Sequence, residues 1–124
     1  MYTLDTNAII YAVKADERAI PILRDILARP DVPVYVSTIT EIELFSFPQL
    51  SEEEARLIEN FLGRVSLIPV DSQIARIAGT LRGAYRIKLP DSAIAATALF
   101  TSSTLLTRNV ADFEKVPQLL TQAI

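Results

Sequence analysis

Residues 1–10 read MYTLDTNAII, and this stretch begins an α/β pattern. Tyr2, Thr3 and Leu4 form a short β-rich run, and a helical pattern follows directly after it. Asp5 stands at the junction, where a small carboxylate either caps the helix or forms the first corner of a metal site. Which of these two roles applies depends on the polar residues in the rest of the sequence.

Composition limits the chemistry open to the chain. Its 124 residues include no cysteine and no histidine. Thiolate sites, disulfides and histidine acid–base catalysis are therefore excluded, and carboxylates with a hard, oxygen-bound cation remain available. The net charge of −3 gives no general attraction to nucleic acid. The lack of cysteine and of long apolar runs favours one cytoplasmic domain over residues 1–124 with no membrane association.

Short apolar runs alternate with helical patterns along the chain. Strands are predicted at residues 2–4, 34–36, 67–70 and 105–107. Helices are predicted between them, including one over residues 16–29, one opened by a capping box at Ser51 and Glu54, and one beginning at Asp91. Strands separated by helices pair in parallel, so the fold class is α/β with a helix-covered sheet of about four strands.

Acidic residues stand where ligands of such sheets bind, beyond the carboxyl ends of the strands. Asp5 follows the first strand, and Glu43 lies in the helix entered from the second. Asp91 begins an alanine-rich helix, and Asp112 comes shortly after the fourth strand. Taken singly, each is explained as a helix cap or a solvated helix residue. The interpretation as a site depends on all of them belonging to one pattern.

Four segments resemble, in order, the motifs of the PIN-domain family. They are LDTN (4–7), STITEIEL (37–44), LPDSAIAATA (89–98) and TRNVADF (107–113). The resemblance spans nearly the whole chain and implies a three-layer α/β/α fold that acts as a metal-dependent endoribonuclease. Compact members of this length resemble VapC-type toxins of toxin–antitoxin pairs. This implies an RNA substrate, a cognate antitoxin and a homodimer.

The same resemblance implies the site residues and the cofactor, Mg²⁺ or Mn²⁺. The catalytic and metal-ligating residues are Asp5, Glu43, Asp91 and Asp112. Glu43 fits the second motif better than Glu41, because Ser37, Thr40 and Glu43 recur at three-residue steps. Some relatives carry an acid where Asn109 stands, so the fourth ligand is either Asp112 or Asn109.

Polar neighbours of these acids are expected to have auxiliary roles. They are Thr6, Asn7, Thr107 and Asn109. Thr6 and Asn7 are expected to orient Asp5 or to hold a metal-bound water. Thr107 is expected to lie close to the same acids, at the carboxyl end of the sheet.

A basic strip precedes the third motif, because no acidic residue lies between Asp71 and Asp91. Arg82 and Arg86 are four residues apart on one predicted helix face, which is either a solvated surface or a grip on RNA phosphates. The RNA-binding candidates are Arg82, Arg86, Lys88 and Arg108.

Two other functions compete with a ribonuclease: a catalytically silent PIN-like binding module, and a nuclease acting on DNA. An aspartyl-phosphate phosphatase fits less well, because it needs a second Asp at the position of Asn7. Phe45, Phe47 and Pro48 are candidates for receiving the helical tail of an antitoxin. Ile9, Ile10 and the helix over residues 16–29 supply either a dimer surface or part of the chain's own core.

Overall fold

The computed structural model describes residues 1–14 and 20–124. The strands are β1 (Tyr2–Leu4), β2 (Val34–Ser37), β3 (Ser66–Ile68), β4 (Thr104–Thr107) and β5 (Thr121–Ala123). The helices are α1 (Thr6–Val13), α2 (Ile20–Leu27), α3 (Thr38–Leu44), α4 (Glu52–Leu62), α5 (Ser72–Tyr85), α6 (Leu89–Phe100) and α7 (Val110–Phe113). Within these ranges the strands form one parallel sheet in the order β3-β2-β1-β4-β5.

The sheet of the described chain has five strands instead of the four expected. The additional strand, β5, pairs with β4 at one edge of the sheet. Its residues Thr121, Gln122 and Ala123 include no apolar β-branched run. Pairing with β4 therefore stabilises this strand more than its own composition does.

The predicted second helix is described only in part, since its residues 16–19 lie outside the described residues. The described part, α2, ends at Leu27 instead of Arg29. Arg29 precedes Pro30, and the proline ring disfavours helical backbone at the residue before it. The helix therefore ends earlier than the apolar spacing suggested.

Three helix starts follow their capping signals. Ser37 caps α3, Asp71 caps α5, and Ser51 with Glu54 forms a complete capping box on α4. By contrast, α6 and α7 start without a side-chain cap, and α6 begins at Leu89 with Asp91 inside its first turn. The prediction that Asp91 starts this helix was wrong, because Pro90 is itself favoured in a first turn.

The sheet is covered on both faces, which gives the expected three layers. Neighbouring strand residues point to opposite faces, so Leu106 and Leu105 of β4 pack into different clusters. One cluster is built on α1, α2 and α4, and the other on α5, α6 and α7. This arrangement leaves the carboxyl ends of the strands as the place where the first residues of α1 and α3 meet.

Apolar side chains of α1 and α2 contribute to the hydrophobic core. Ile9, Leu23 and Ile26 are all buried in the first cluster. These three residues therefore belong to the core, whereas Ile10 is only partly buried and the dimer surface stays a prediction. Among the described residues, no helix is long and apolar enough to cross a membrane.

Candidate active site

A cleft of about 400 Å³ lies where the carboxyl ends of β1, β2 and β4 meet the helices that follow them. It is lined by Asp5, Thr6, Asn7, Ile10, Ile42, Glu43, Ser46, Phe47, Asp91, Ile94, Asn109 and Phe113. The fold thus brings together three of the four predicted acids with Thr6, Asn7 and Asn109. Asp112 and Thr107 do not line the cleft, but each is hydrogen-bonded to a residue that does.

Asp5 combines both roles that the sequence left open. Its Oδ1 accepts a 2.8 Å hydrogen bond from the backbone N–H of Ala8, which caps α1. Its Oδ2 accepts a 2.5 Å hydrogen bond from the Thr107 hydroxyl. Burial raises the pKa of Asp5 above 3.8, the two hydrogen bonds lower it, and repulsion from Glu43 raises it again. A residue that served only as a cap would not need to be buried beside a second acid.

Glu43 is the acid of α3 that faces the cleft, as expected in preference to Glu41. Its Oε1 accepts a 2.5 Å hydrogen bond from the hydroxyl of Thr6, at the start of α1. The Thr6 oxygen also lies 3.2 Å from the hydroxyl oxygen of buried Thr40. Thr6 therefore contacts Glu43, whereas the sequence-based expectation was that it would orient Asp5 or hold a metal-bound water.

Asp91 lies in the first turn of α6, where the helix dipole favours a negative charge. Its pKa is nonetheless raised above 3.8, first by burial and then by the charges of Asp112, Glu43 and Asp5. Lys88 lowers it in part. The direction of this shift records that four carboxylates from four segments share one electrostatic environment.

The fourth motif contributes two residues with different positions. Asn109 lines the cleft, whereas Asp112 does not. The amide nitrogen of Asn109 donates a 2.6 Å hydrogen bond to Oδ2 of Asp112. The backbone N–H of Asn109 also donates to the Thr107 hydroxyl at 2.8 Å. Asp112 therefore holds the Asn109 amide through its nitrogen. The amide oxygen takes no part in this hydrogen bond.

The basic candidates do not line the cleft, and two of them have structural contacts. The Nε of Arg82 donates a 3.2 Å hydrogen bond to the backbone carbonyl of Ile87. Arg86 caps α5 in a left-handed conformation with φ of 54°, so it lies outside the helix. The predicted common helix face of Arg82 and Arg86 was therefore wrong. The guanidinium carbon of Arg108 lies 3.8 Å from the ring centre of Tyr11.

Sequence reasoning missed several apolar and hydroxyl residues of the cleft wall. Ile42, Ser46 and Ile94 were not singled out, although all three line the cleft. One signal was available for Ser46, which follows Glu43 by three residues and would share its side of a continued helix, although α3 ends at Leu44. Ile42 and Ile94 have no comparable signal, because an isoleucine in an apolar helix is expected in the core.

The donor set of the cleft suits a hard divalent cation such as Mg²⁺ or Mn²⁺. It offers carboxylate, amide and hydroxyl oxygens, and a cation among the acids would offset their repulsion. Asp5, Glu43, Asp91 and Asn109 are the residues that would hold it. In the described part of the chain, no three acidic side chains stand close enough together to surround an ion, so the acids would have to move closer when one binds. Asp5 and Glu43 each accept hydrogen bonds from protein donors, and their carboxylates keep further lone pairs for a cation.

An open parallel sheet with one buried and two partly buried acids at its carboxyl end defines an α/β domain with an acidic site. The chain belongs to the PIN domain family, whose model matches residues 2–119. This agrees with the resemblance seen in the four sequence motifs.

Relatives with names and solved structures cover the chain almost completely. Ribonuclease VapC19 of Mycobacterium tuberculosis is 30% identical over 96% of this chain and 97% of its own length. VapBC2 of Rickettsia felis, solved bound to a DNA fragment from its promoter, contains a chain that superposes with a TM-score of 0.85. That match has 25% identity and covers 99% of this chain and 98% of the other. A toxin–antitoxin complex from Klebsiella pneumoniae gives a TM-score of 0.81 at 31% identity, with both chains covered to 100%.

Proposed function

We propose that the chain is a divalent-metal-dependent endoribonuclease, and that it is the toxin of a toxin–antitoxin pair. One PIN-like nuclease domain over residues 1–124 carries the activity. The observation that carries this proposal is the cleft in which Asp5 and Asp91, both with raised pKa, face Glu43. Membership of the PIN family and a relative named as a ribonuclease support RNA as the substrate.

The protein side chains divide the work in the cleft. Asp5, Glu43 and Asp91 would hold Mg²⁺ or Mn²⁺, with Asn109 or Asp112 at the fourth position. Such a cation, when bound, lowers the pKa of a water ligand and offsets charge on phosphate oxygens. Asp5 is held by Thr107, so it is the rigid member of the set. Asp91 lies in the first turn of α6 and lines the cleft, so it would hold the cation together with Asp5 and Glu43.

The RNA backbone needs cations outside the acidic cleft, because the acids themselves repel phosphates. Lys88 is near enough to Asp91 to lower its pKa, so it stands at the edge of the acidic cluster. Arg82, Arg86 and Arg108 are further candidates for contacts with the phosphates that flank the scissile bond. Each such contact should add to the salt dependence of binding without selecting a sequence.

An antitoxin is the proposed protein partner, as in the complex from Klebsiella pneumoniae. Apolar side chains stand exposed beside the acidic cleft: Ile42 is 63%, Phe45 41% and Phe47 48% accessible. They provide a surface for an apolar helical tail that would cover the cleft. A homodimer is also proposed, and neither Ile9 nor the buried residues of α2 would form its interface.

The test is cleavage of a mixed pool of structured RNAs by the full chain, purified without antitoxin. We expect cleavage with Mg²⁺ or Mn²⁺, none in EDTA, and a loss of about 100-fold or more for Asp91→Asn. Asp71→Asn is the matched control, because it makes the same chemical change at a helix cap outside the cleft. It should cleave like the wild type.

The remaining outcomes separate the competing functions. Cleavage of DNA of the same sequence, with RNA left intact, would replace the ribonuclease with a deoxyribonuclease. Metal binding without cleavage of either polymer would favour a binding module. Cleavage that persists in EDTA and in Asp91→Asn would show that the acidic cleft is not the active site.

A further inference from the structure

We propose that Thr6 is a positioning residue that holds the Glu43 side chain in the cleft, beside Asp5 and Asp91. This inference rests on the proposed metal-dependent function, because it concerns how the acid of α3 is kept in place. The carrying observation is the 2.5 Å hydrogen bond from the Thr6 hydroxyl to Oε1 of Glu43. It joins the first residue of α1 to the penultimate residue of α3, two helices that enter the cleft from different strands.

Glu43 needs a holding contact for two reasons. Its side chain has three rotatable bonds and is only partly buried, so it can adopt several rotamers that point to solvent. It also repels Asp5 and Asp91, since its charge raises the pKa of both. Repulsion favours rotamers that carry the carboxylate away from the other acids. The Thr6 hydrogen bond opposes that movement.

Thr6 is suited to this role because its side chain has little conformational freedom. A β-branched side chain has few χ1 rotamers, so its hydroxyl stands in a defined direction. A hydroxyl has a single proton, and in the 2.5 Å bond that proton goes to Glu43, whose carboxylate can only accept. The Thr6 oxygen also lies 3.2 Å from the hydroxyl oxygen of Thr40, which is fully buried on α3.

Asp5 does not require Thr6 for its own orientation. One Asp5 oxygen is held by the Ala8 amide and the other by the Thr107 hydroxyl. The two acids therefore have separate holders, Thr107 for Asp5 and Thr6 for Glu43. Removing the Thr6 hydroxyl should disturb the second acid and leave the first in place.

The test measures Mn²⁺ binding to the RNA-free full chain by electron paramagnetic resonance and calorimetry. Thr6→Val keeps the branched shape and removes the hydroxyl, and we expect it to weaken Mn²⁺ affinity about tenfold. Thr6→Ser restores a hydroxyl and should bind within about twofold of the wild type. Thermal unfolding of both variants checks that they are folded.

Two further variants separate positioning from a general structural role. Thr38→Val removes a hydroxyl that accepts from the Val70 amide at 3.1 Å, so it should lower stability without changing Mn²⁺ affinity. In a Glu43→Ala background the side chain that Thr6 holds is absent, and adding Thr6→Val should cause no further loss of affinity.

The results distinguish this inference from the proposed function. If the wild type binds Mn²⁺ and Thr6→Val binds it equally well, the positioning role is wrong and the metal site stands. If Thr6→Val loses the same affinity in the Glu43→Ala background, Thr6 does not act through Glu43. If the wild type binds no Mn²⁺, the metal-dependent function and the inference both fail.

Discussion

The hydroxyl of Thr107 donates a 2.5 Å hydrogen bond to Oδ2 of Asp5, 102 residues earlier in the chain. Thr107 is fully buried, and Asp5 is only 4% accessible. The same hydroxyl accepts from the backbone of Asn109. This hydrogen bond therefore links the first motif, at the carboxyl end of β1, to the fourth motif, at the carboxyl end of β4.

Removal of the Thr107 hydroxyl should destabilise the protein. Thr107→Val leaves a buried carboxylate oxygen without its donor, which costs about 1–3 kcal/mol. Thr107→Ser keeps the donor and should lose far less. Denaturant unfolding at neutral pH measures the difference. Equal stability of the two variants would contradict the role given to this hydrogen bond.

The metal-free protein should become more stable when Asp91 loses its charge. Burial and neighbouring acids raise the pKa of Asp91 and Asp5 above the ordinary value of 3.8. The folded state therefore holds these protons longer than the unfolded state does. The unfolding free energy falls as pH rises from 3.8 to the folded pKa, and the loss persists at higher pH.

The Asp91→Asn variant should regain part of this lost unfolding free energy, although it loses activity. Its melting temperature in EDTA at pH 7 should exceed that of the wild type by about 2–5 °C, a modest value because Asp91 is partly exposed. The advantage should vanish well below pH 3.8, where Asp91 is protonated in both states. Asp71→Asn should show neither effect, since Asn also caps helices well. A less stable Asp91→Asn would argue against repulsion in the cleft.

Asn109 and Asp112 should differ in their effect on catalysis. Asn109 lines the cleft, and Asp112 holds the Asn109 amide from outside it. We expect Asn109→Ala to lower cleavage about 100-fold and Asp112→Asn about tenfold, the range found for residues that support metal ligands. The single-turnover cleavage rate at saturating Mg²⁺ is the measurement. A loss in Asp112→Asn as large as that in Asp91→Asn would make Asp112 the direct ligand.

Arg86 offers a test that separates backbone strain from phosphate binding. Its left-handed φ of 54° costs a residue with Cβ about 1 kcal/mol, and Asn tolerates this conformation better. Arg86→Asn should therefore raise the unfolding free energy by a few tenths to about 1 kcal/mol. If Arg86 also contacts RNA, the slope of log affinity against log salt should fall by about 0.7.

Arg56→Gln is the charge-matched control, on the exposed side of α4. It removes the same net charge and should leave the salt slope unchanged. An equal slope in both variants would assign Arg86 a structural role alone.

Short-range signals predicted much of the fold. The capping box of Ser51 and Glu54 spans only four residues, so its geometry follows from the local sequence. Strand β5 could not be found in this way, because it depends on pairing with β4. The start of α6 was misplaced by two residues, because both Pro90 and Asp91 are acceptable in a first turn.

The sequence by itself determined the parallel α/β arrangement, the acids at the carboxyl ends of the strands and the family to which the chain belongs. These follow from local apolar spacing and from motifs in a linear order. Only the tertiary structure decided that Thr6 contacts Glu43, that Thr107 contacts Asp5, and that Asn109 stands in front of Asp112. Two of these pairs join segments that are distant in the chain, and the third depends on which side chain faces the cleft. Packing of helices on the sheet sets both, and no local pattern encodes the resulting distances.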